Sequence, residues 1–142
     1  MKIKPLTIAE VEYTAFKLAK EFMTYDEPIP EFGSRFPNVL ESCLITPFGQ
    51  FSRKDLYRGL VGKTSILFYL MIKNHPFQNG NKRIAVMTVL LFLAVNDKWL
   101  SISNDGLYKF AVRIAGGDSK QKESDIKNIK NFFKETIVDL RI

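Results

Sequence analysis

The chain has 142 residues, 46% of them apolar, with a formal net charge of +6. Length and composition predict a single domain, residues 1–142, with a packed core. They exclude a membrane span, because no run of about 18–20 uninterrupted apolar residues occurs, and the lone Cys43 excludes a disulfide framework or a zinc cluster.

Met1 to Pro5 lacks the apolar core of a signal peptide, so a reducing cytoplasm is the expected compartment. No Lys/Arg run interleaved with aromatics is present, and no DNA-binding motif stands out. The positive charge therefore suits an acidic partner or nucleotide phosphates, and direct nucleic-acid binding is not expected.

In chain order, Thr7 and Glu10 form a capping-box pair, and Ile8, Val11, Ala15, Leu18, Ala19 and Phe22 follow at helical spacing. They predict a first helix over about 8–23. Pro28 and Pro30 mark a loop. Asn38 to Leu44 reads as a short helix facing inward through Val39, Leu40 and Cys43 or Leu44. Thr46 to Ser52 is a turn-rich connection. Ser52 and Asp55 read as a cap for a helix over Leu56–Lys73. Gly62-Lys63-Thr64 is no phosphate loop: that motif needs a glycine at position 57, where Tyr57 stands, and the segment reads as mid-helix.

The run Ile84 to Val95 has no charge and no breaker. As a helix it would be about 18 Å long, too short to cross a bilayer, and it is read as the buried centre of the fold within a helix over 81–96. Lys98 to Ser103 is read as briefly extended. Asn104 or Asp105 caps another helix, which stops at Gly116-Gly117. Ser124 starts a last amphipathic helix carrying Ile126, Ile129, Phe132, Phe133, Ile137 and Leu140. Lys120 to Lys130 is a solvated loop and face. The fold class is all-α, with about six helices and no internal repeat.

The densest chemistry lies in His75-Pro76-Phe77-Gln78-Asn79-Gly80-Asn81-Lys82-Arg83, which holds the only histidine of the chain. Asn79, Gly80 and Asn81 supply turn and cap chemistry directly before the apolar helix. A helix N-terminus already carries about half a positive charge, so Lys82 and Arg83 in its first turn are unfavourable there by a few tenths of a kcal/mol. Stability alone gives no reason for them, and neutral replacements should hold or raise it. A bound anion does give a reason, because free N–H groups, the dipole and both cations would converge on it. Arg83 would grip a phosphate bidentately and Lys82 would act as a compact charge. Gly80 would permit positive φ or close approach of the ligand. Pro76 biases His75 towards extended backbone. Phe77 is the expected loop anchor, and a neutral His75 beside the anion would accept a proton from an attacking hydroxyl.

These nine residues resemble the signature of the Fic/Doc family in its Doc (death-on-curing) form, His-x-Phe-x-Asp/Asn-Ala/Gly-Asn-Lys-Arg. With the flanking helices, the likeness covers about residues 1–115. The resemblance implies a transferase that moves part of a nucleotide to a protein hydroxyl. His75 would be the general base, Gly80 and Asn81 would form the anion hole, and Lys82 and Arg83 would hold the phosphates of ATP. Fic members carry glycine where Lys82 stands. Lysine is the Doc-like choice, and it implies transfer of the γ-phosphate to a Ser or Thr by a bacterial toxin, with elongation factor Tu the first target to test.

The acidic residue that often holds Mg²⁺ in the family is Asn79 here, whose amide oxygen can ligate but adds no charge. The resemblance also makes the region around Phe48 and Phe51 the flap that positions the target, although both rings serve equally well as core anchors. It implies a cognate antitoxin whose disordered tail, of a kind often acidic, folds into a groove beside the site. AMP or other nucleotidyl transfer by the same residues is the first alternative. A catalytically weak protein that only partners an antitoxin or regulator is the second. Ser119 and Glu123 have the spacing of a self-inhibitory helix, but Ser124 stands where that motif needs Gly or Asn, so self-inhibition is not expected.

Overall fold

The computed structural model describes residues 2–141. Thr7 and Glu10 make the expected reciprocal cap: the Thr7 hydroxyl accepts from Glu10 N–H, and the Glu10 carboxylate accepts from Thr7 N–H. They open α1, residues 8–22, whose middle, Val11–Phe16, widens into π-type hydrogen bonding. Val11, Ala15, Phe16 and Ala19 face the core. The Pro28–Pro30 segment is loop, followed by a 3₁₀ turn at Phe32–Ser34 and by α2, Pro37–Ile45. Leu40, Cys43 and Leu44 point inward from α2, with Val39 half-buried.

The next segment departs from the sequence reading. After a 3₁₀ turn at Thr46–Phe48, Gln50–Phe51 (β1) pairs antiparallel with Lys54–Asp55 (β2). Ser52 and Arg53 connect them with φ +52° and +65°, as a two-residue hairpin turn of type I′ requires. Ser52 therefore caps no helix. Asp55 is also spent elsewhere, accepting from Gln50 Nε2 at 3.0 Å and from Lys63 Nζ at 2.9 Å. The helix α3 starts later than expected, at Gly59, and runs to Lys73 behind Arg58, which makes no side-chain cap. Gly62 to Thr64 lies inside it, as the rejection of a phosphate loop required. Lys63 is 3% exposed, and its ammonium also donates to Tyr57 O at 2.6 Å.

The central helix is α4, Asn81–Val95, and it packs against α1, α3 and the later helix α5, Asn104–Ala115. Ile84, Ala85, Val86, Val89 and Leu93 are fully enclosed. Ser103, rather than Asn104 or Asp105, caps α5 by accepting from Gly106 N–H at 3.1 Å. The stop at Gly116 falls where the glycine pair places it. An Asp118–Gln121 capping box leads through a 3₁₀ turn into α6, Lys122–Thr136, which thus begins before Ser124.

Ile137 and Leu140 do not continue that helix. Ile137–Asp139 (β4) pairs with Lys98–Leu100 (β3) in the register Lys98↔Asp139, Trp99↔Val138, Leu100↔Ile137. Two β-branched residues opposite an aromatic and a leucine suit a ladder better than a helix end, and Lys98 Nζ donates to the Asp139 carboxylate across it. The described residues form an all-α architecture of six helices with two short strand pairs. None of these helices is long and apolar enough to cross a membrane.

Asp55 sets a pH test of the hairpin. Hydrogen bonds from Gln50 and Lys63, and the Lys63 charge, hold its carboxyl below the ordinary value of 3.8. A lowered folded pKa means that the clasp is complete above that value and is lost as pH falls through the depressed one. Exchange of the Leu56 amide, which donates to Gly49 O at 3.0 Å, should therefore stay protected at neutral pH and accelerate relative to its intrinsic rate only below pH 3.8. Asp55→Asn should show the accelerated exchange already at neutral pH.

Candidate active site

Residues 74–80 link α3 to α4, and a cluster of aromatic rings fixes their path. Phe77 is 3% exposed. It stacks on Phe16 at 5.6 Å and lies 5.9 Å from Phe32. Pro76 O accepts from Phe36 N–H at 2.9 Å, and Gln78 Nε2 donates to Ser34 O at 3.3 Å. The loop is thus tied to the 32–36 segment on one side and to α1 on the other.

His75 is exposed, with φ +50°. This departs from the extended backbone expected before proline. His75 follows Asn74, the last capping residue of α3, and takes the left-handed position that commonly ends helices. For a residue with a Cβ that conformation costs roughly 1–2 kcal/mol. The buried Pro76 and Phe77 impose it.

Asn81 closes the loop. Its Oδ1 accepts from Phe77 N–H at 2.9 Å, and its Nδ2 donates to Phe77 O at 2.8 Å. Those two bonds fix which end of the amide is nitrogen. The same Nδ2 lies 3.4 Å from His75 Nδ1. A ring that accepts there carries its proton on Nε2. To take a proton on Nε2 the imidazole must change tautomer or turn, and its exposure and this long contact leave it free to do so.

Gly80 has φ +80° and precedes α4 without a side-chain cap. A Cβ there would fall 2.6 Å from Ile29 Cγ1, so the position needs glycine for both backbone and space. With no cap, the first-turn N–H groups of α4 have no intrahelical acceptor and are open to an anion. Lys82 is half-buried on that turn and belongs to no ion pair among the described residues.

Arg83 is 2% exposed. Its Nη1 donates to Met23 O at 3.0 Å and its Nη2 to Glu27 O at 2.5 Å. The guanidinium thus holds the chain leaving α1 against the start of α4. This corrects the expectation that stability gives no reason for a cation at this position. A cavity of about 250 Å³ adjoins Arg83, lined also by Lys20, Thr24, Pro28 and Ile29. Asn79 is half-buried, and its Nδ2 lies 3.4 Å from Glu27 Oε2 and 3.3 Å from Pro28 O.

The structure thus brings His75, Phe77, Asn79, Gly80, Asn81 and Lys82 to one loop and helix start, and places Arg83 behind them. Sequence reading missed Met23 to Pro28, whose main chain and Glu27 carboxylate abut the motif. Pro28 marks a loop there, but nothing in the stretch ties that loop to the motif.

A family model described as the Fic/Doc family matches residues 8–93. The chain belongs to the Fic/Doc family. Searches of curated proteins and of solved structures gave no match. Fic/Doc members are typically transferases that act on proteins, and α1 to α4 carry the matched region.

Other chemistries find less support. Cys43 is buried, and burial pushes its thiol up to about 12, which keeps it protonated and inert as a nucleophile. Among the described residues no three His, Cys, Asp or Glu side chains gather to hold a metal. Of the flap residues, Phe48 is half-buried and meets Phe92 edge-on at 6.2 Å, whereas Phe51 is 74% exposed beside the hairpin turn.

Arg83 and Lys82 should respond oppositely to replacement. Arg83→Met leaves two carbonyls unpaired, at about 1–3 kcal/mol each, so urea unfolding should register a loss of roughly 2–6 kcal/mol. Lys82→Met removes a charge opposed by the helix dipole, and stability should hold or rise by a few tenths of a kcal/mol. Equal losses for both would contradict the division of labour drawn here.

Proposed function

We propose that this Fic/Doc protein is a Doc-type phosphotransferase of a toxin–antitoxin pair, moving the γ-phosphate of ATP to a Ser or Thr hydroxyl of a host protein. The observation that carries this reading is the uncapped start of α4 beside His75: open N–H groups, Lys82 free of any ion pair among the described residues, and Asn81 bound to Phe77 and close to His75. Phosphoryl transfer asks a protein mainly for positioning and for charge stabilisation of the transferring group, and these elements offer both.

In the proposed step the target hydroxyl oxygen attacks the γ-phosphorus and His75 takes the hydroxyl proton. The bond from that phosphorus to the β,γ-bridging oxygen breaks, and ADP leaves. Gly80, Asn81 and Lys82 hold phosphate oxygens through main-chain N–H groups and the Lys82 ammonium. Arg83 acts on that site by fixing its rear wall, since its guanidinium is engaged by Met23 and Glu27. Mg²⁺, when bound, supplies charge neutralisation between the phosphates. Asn79 fits such an ion as an oxygen ligand, since only its nitrogen is committed, to Glu27 and Pro28. AMP transfer would use the same residues with a different phosphorus beside His75. Lys82, where Fic members carry glycine, favours the phosphoryl group.

The proposed partner is an antitoxin tail. A groove of about 540 Å³ runs between α1, α4 and the start of α5, lined by Leu18, Phe22, Met87, Leu91 and Trp99. Phe22 is 70% exposed there, the kind of surface into which an amphipathic helix docks. An acidic tail suits the +6 charge.

Mass spectrometry of host proteins, elongation factor Tu first, after incubation with ATP and Mg²⁺ tests the reading. A gain of one phosphoryl group is expected, a gain of AMP would select the alternative, and no modification would favour a pure binding protein. His75→Ala should cut transfer by about 10²–10⁴-fold without loss of fold, because such bases contribute that much and no second histidine exists to replace it. Wild-type turnover in that variant would remove His75 as the base.

A further inference from the structure

We propose that the 50–55 hairpin is a docking surface for an acidic, apolar stretch of the protein that accepts the transferred group, engaged at a distance from the hydroxyl that reacts. The inference rests on the transfer reading above.

The hairpin is patterned inside out. Side chains on a strand alternate between faces, and an antiparallel pair at a protein surface ordinarily turns its apolar face inward and its polar face to water. Here the Gln50↔Asp55 pair faces Lys63: Asp55 accepts from Gln50 Nε2 at 3.0 Å and from Lys63 Nζ at 2.9 Å. The alternate face carries Phe51 opposite Lys54, followed by Leu56 over the bare Gly49. Phe51 is 74% exposed and Leu56 59%. Polar side chains thus bind the hairpin to the body, while the apolar ones meet water. Large apolar side chains exposed together in this way mark an interaction site.

The surface is pre-formed. Lys63 is buried, its ammonium also donates to Tyr57 O at 2.6 Å, and it lies 5.5 Å from the centre of the Phe48 ring. A buried charge opposes folding unless it is well paired, and this one ties the hairpin and the turn after it to α3. The tip is strained as well. Ser52 and Arg53 hold φ +52° and +65°, where Asn-Gly would make the same turn with ease. With Arg53 in place of glycine, the tip carries a cation. Strain and burial accepted in folding leave less ordering to be done when a partner binds.

Charge names the chemistry of that partner. Arg53, Lys54 and Arg58 are exposed and belong to no ion pair among the described residues, and Asp55, the one acid of the hairpin, is matched by Lys63. Two apolar side chains among three unmatched cations fit apolar residues flanked by carboxylates. The groove assigned above to the antitoxin tail uses a different face of α4: Met87 and Leu91 line it, whereas Phe92 turns to Phe48.

Position assigns the surface to the acceptor protein. Lys63 lies near the start of α3 and Phe92 in the last turn of α4, whereas His75 follows the far end of α3. The 15 residues of α3 span roughly 22 Å. The hairpin therefore does not lay the target hydroxyl beside His75, which is the task that the resemblance gave to the region of Phe51. It supplies a contact remote from the reacting atoms, where one protein can be told from another that bears the same hydroxyl.

The test uses the full chain, ATP with Mg²⁺, and the intact host protein that gains a group in the mass-spectrometric experiment above. Phe51→Thr keeps a strand-forming residue, and Arg53→Asn removes the charge with a residue that accepts positive φ. Together they should raise KM for the acceptor by about 10-fold, the loss typical of an anchoring side chain, with kcat and the protection of the Leu56 amide unchanged. Arg58→Gln, outside the turn, should raise KM in the same direction, and it decides the matter if the double variant loosens the hairpin. Lys130→Gln, an exposed charge on α6, should leave KM as it is.

An unchanged KM in the hairpin variants, or an equal rise in Lys130→Gln, overturns the docking surface and leaves the transferase reading standing. A fall in kcat at constant KM also overturns it, because the hairpin would then act at the reaction itself. Binding of the wild type, but not of the double variant, to vesicles of anionic lipid with KM unchanged would give the surface to a membrane instead. If no host protein gains a group, the transfer reading fails and the docking surface falls with it.

Discussion

A guanidinium taken out of water must have its N–H groups met by acceptors, or the protein loses several kcal/mol. Arg83 meets this demand with the main-chain oxygens of Met23 and Glu27, and much of the molecule follows from it. The chain leaving α1 cannot drift from α4 while those bonds hold. Ile29 is thereby set against Gly80, where a side chain would collide, and the Glu27 carboxylate is set beside Asn79. The site is built on the junction of two helices, and the rigid one, α4, is enclosed on nearly all sides by the core.

The second constraint is local. Asn81 uses both ends of its amide on the main chain of Phe77, and Phe77 is anchored in a cluster with Phe16 and Phe32. Together they hold His75 in a left-handed conformation that it would not choose. The result is an imidazole that is exposed yet held close to the free N–H groups of a helix start. Binding energy spent on such pre-arrangement in folding need not be spent again when substrate arrives.

Much of this was legible in the sequence, for identifiable reasons. The Thr7–Glu10 box, the breaker-free run after Arg83 and the Gly116–Gly117 stop are local signals, and local physics decides those boundaries. Gly80 and Phe77 were legible because a glycine before a helix and an aromatic in a polar loop each admit few roles. The hairpin at 50–55 was not, because Ser52-Arg53 is an unusual pair for a turn needing two positive φ values, and Ser52 mimics a helix cap. The end of α6 was hidden by its continuing apolar spacing; only pairing with Lys98–Leu100 turns Ile137 into a strand. Arg83 and Glu27 were hidden for a deeper reason. A cation at a helix start reads as an anion ligand unless the carbonyls that meet it are known, and although Pro28 and Pro30 mark the loop that holds them, nothing in the sequence says that it packs against Arg83.

The central claim is that the start of α4 beside His75 binds phosphate groups. Amide NMR of ¹⁵N-labelled protein, titrated with the β,γ-imido analogue of ATP and Mg²⁺, tests it most directly. The account predicts saturable shifts concentrated on the amides of Gly80, Asn81, Lys82 and Arg83 and on the His75 ring. Shifts confined to the apolar groove of α1 and α4, or an unmoved spectrum at high analogue concentration, would contradict it.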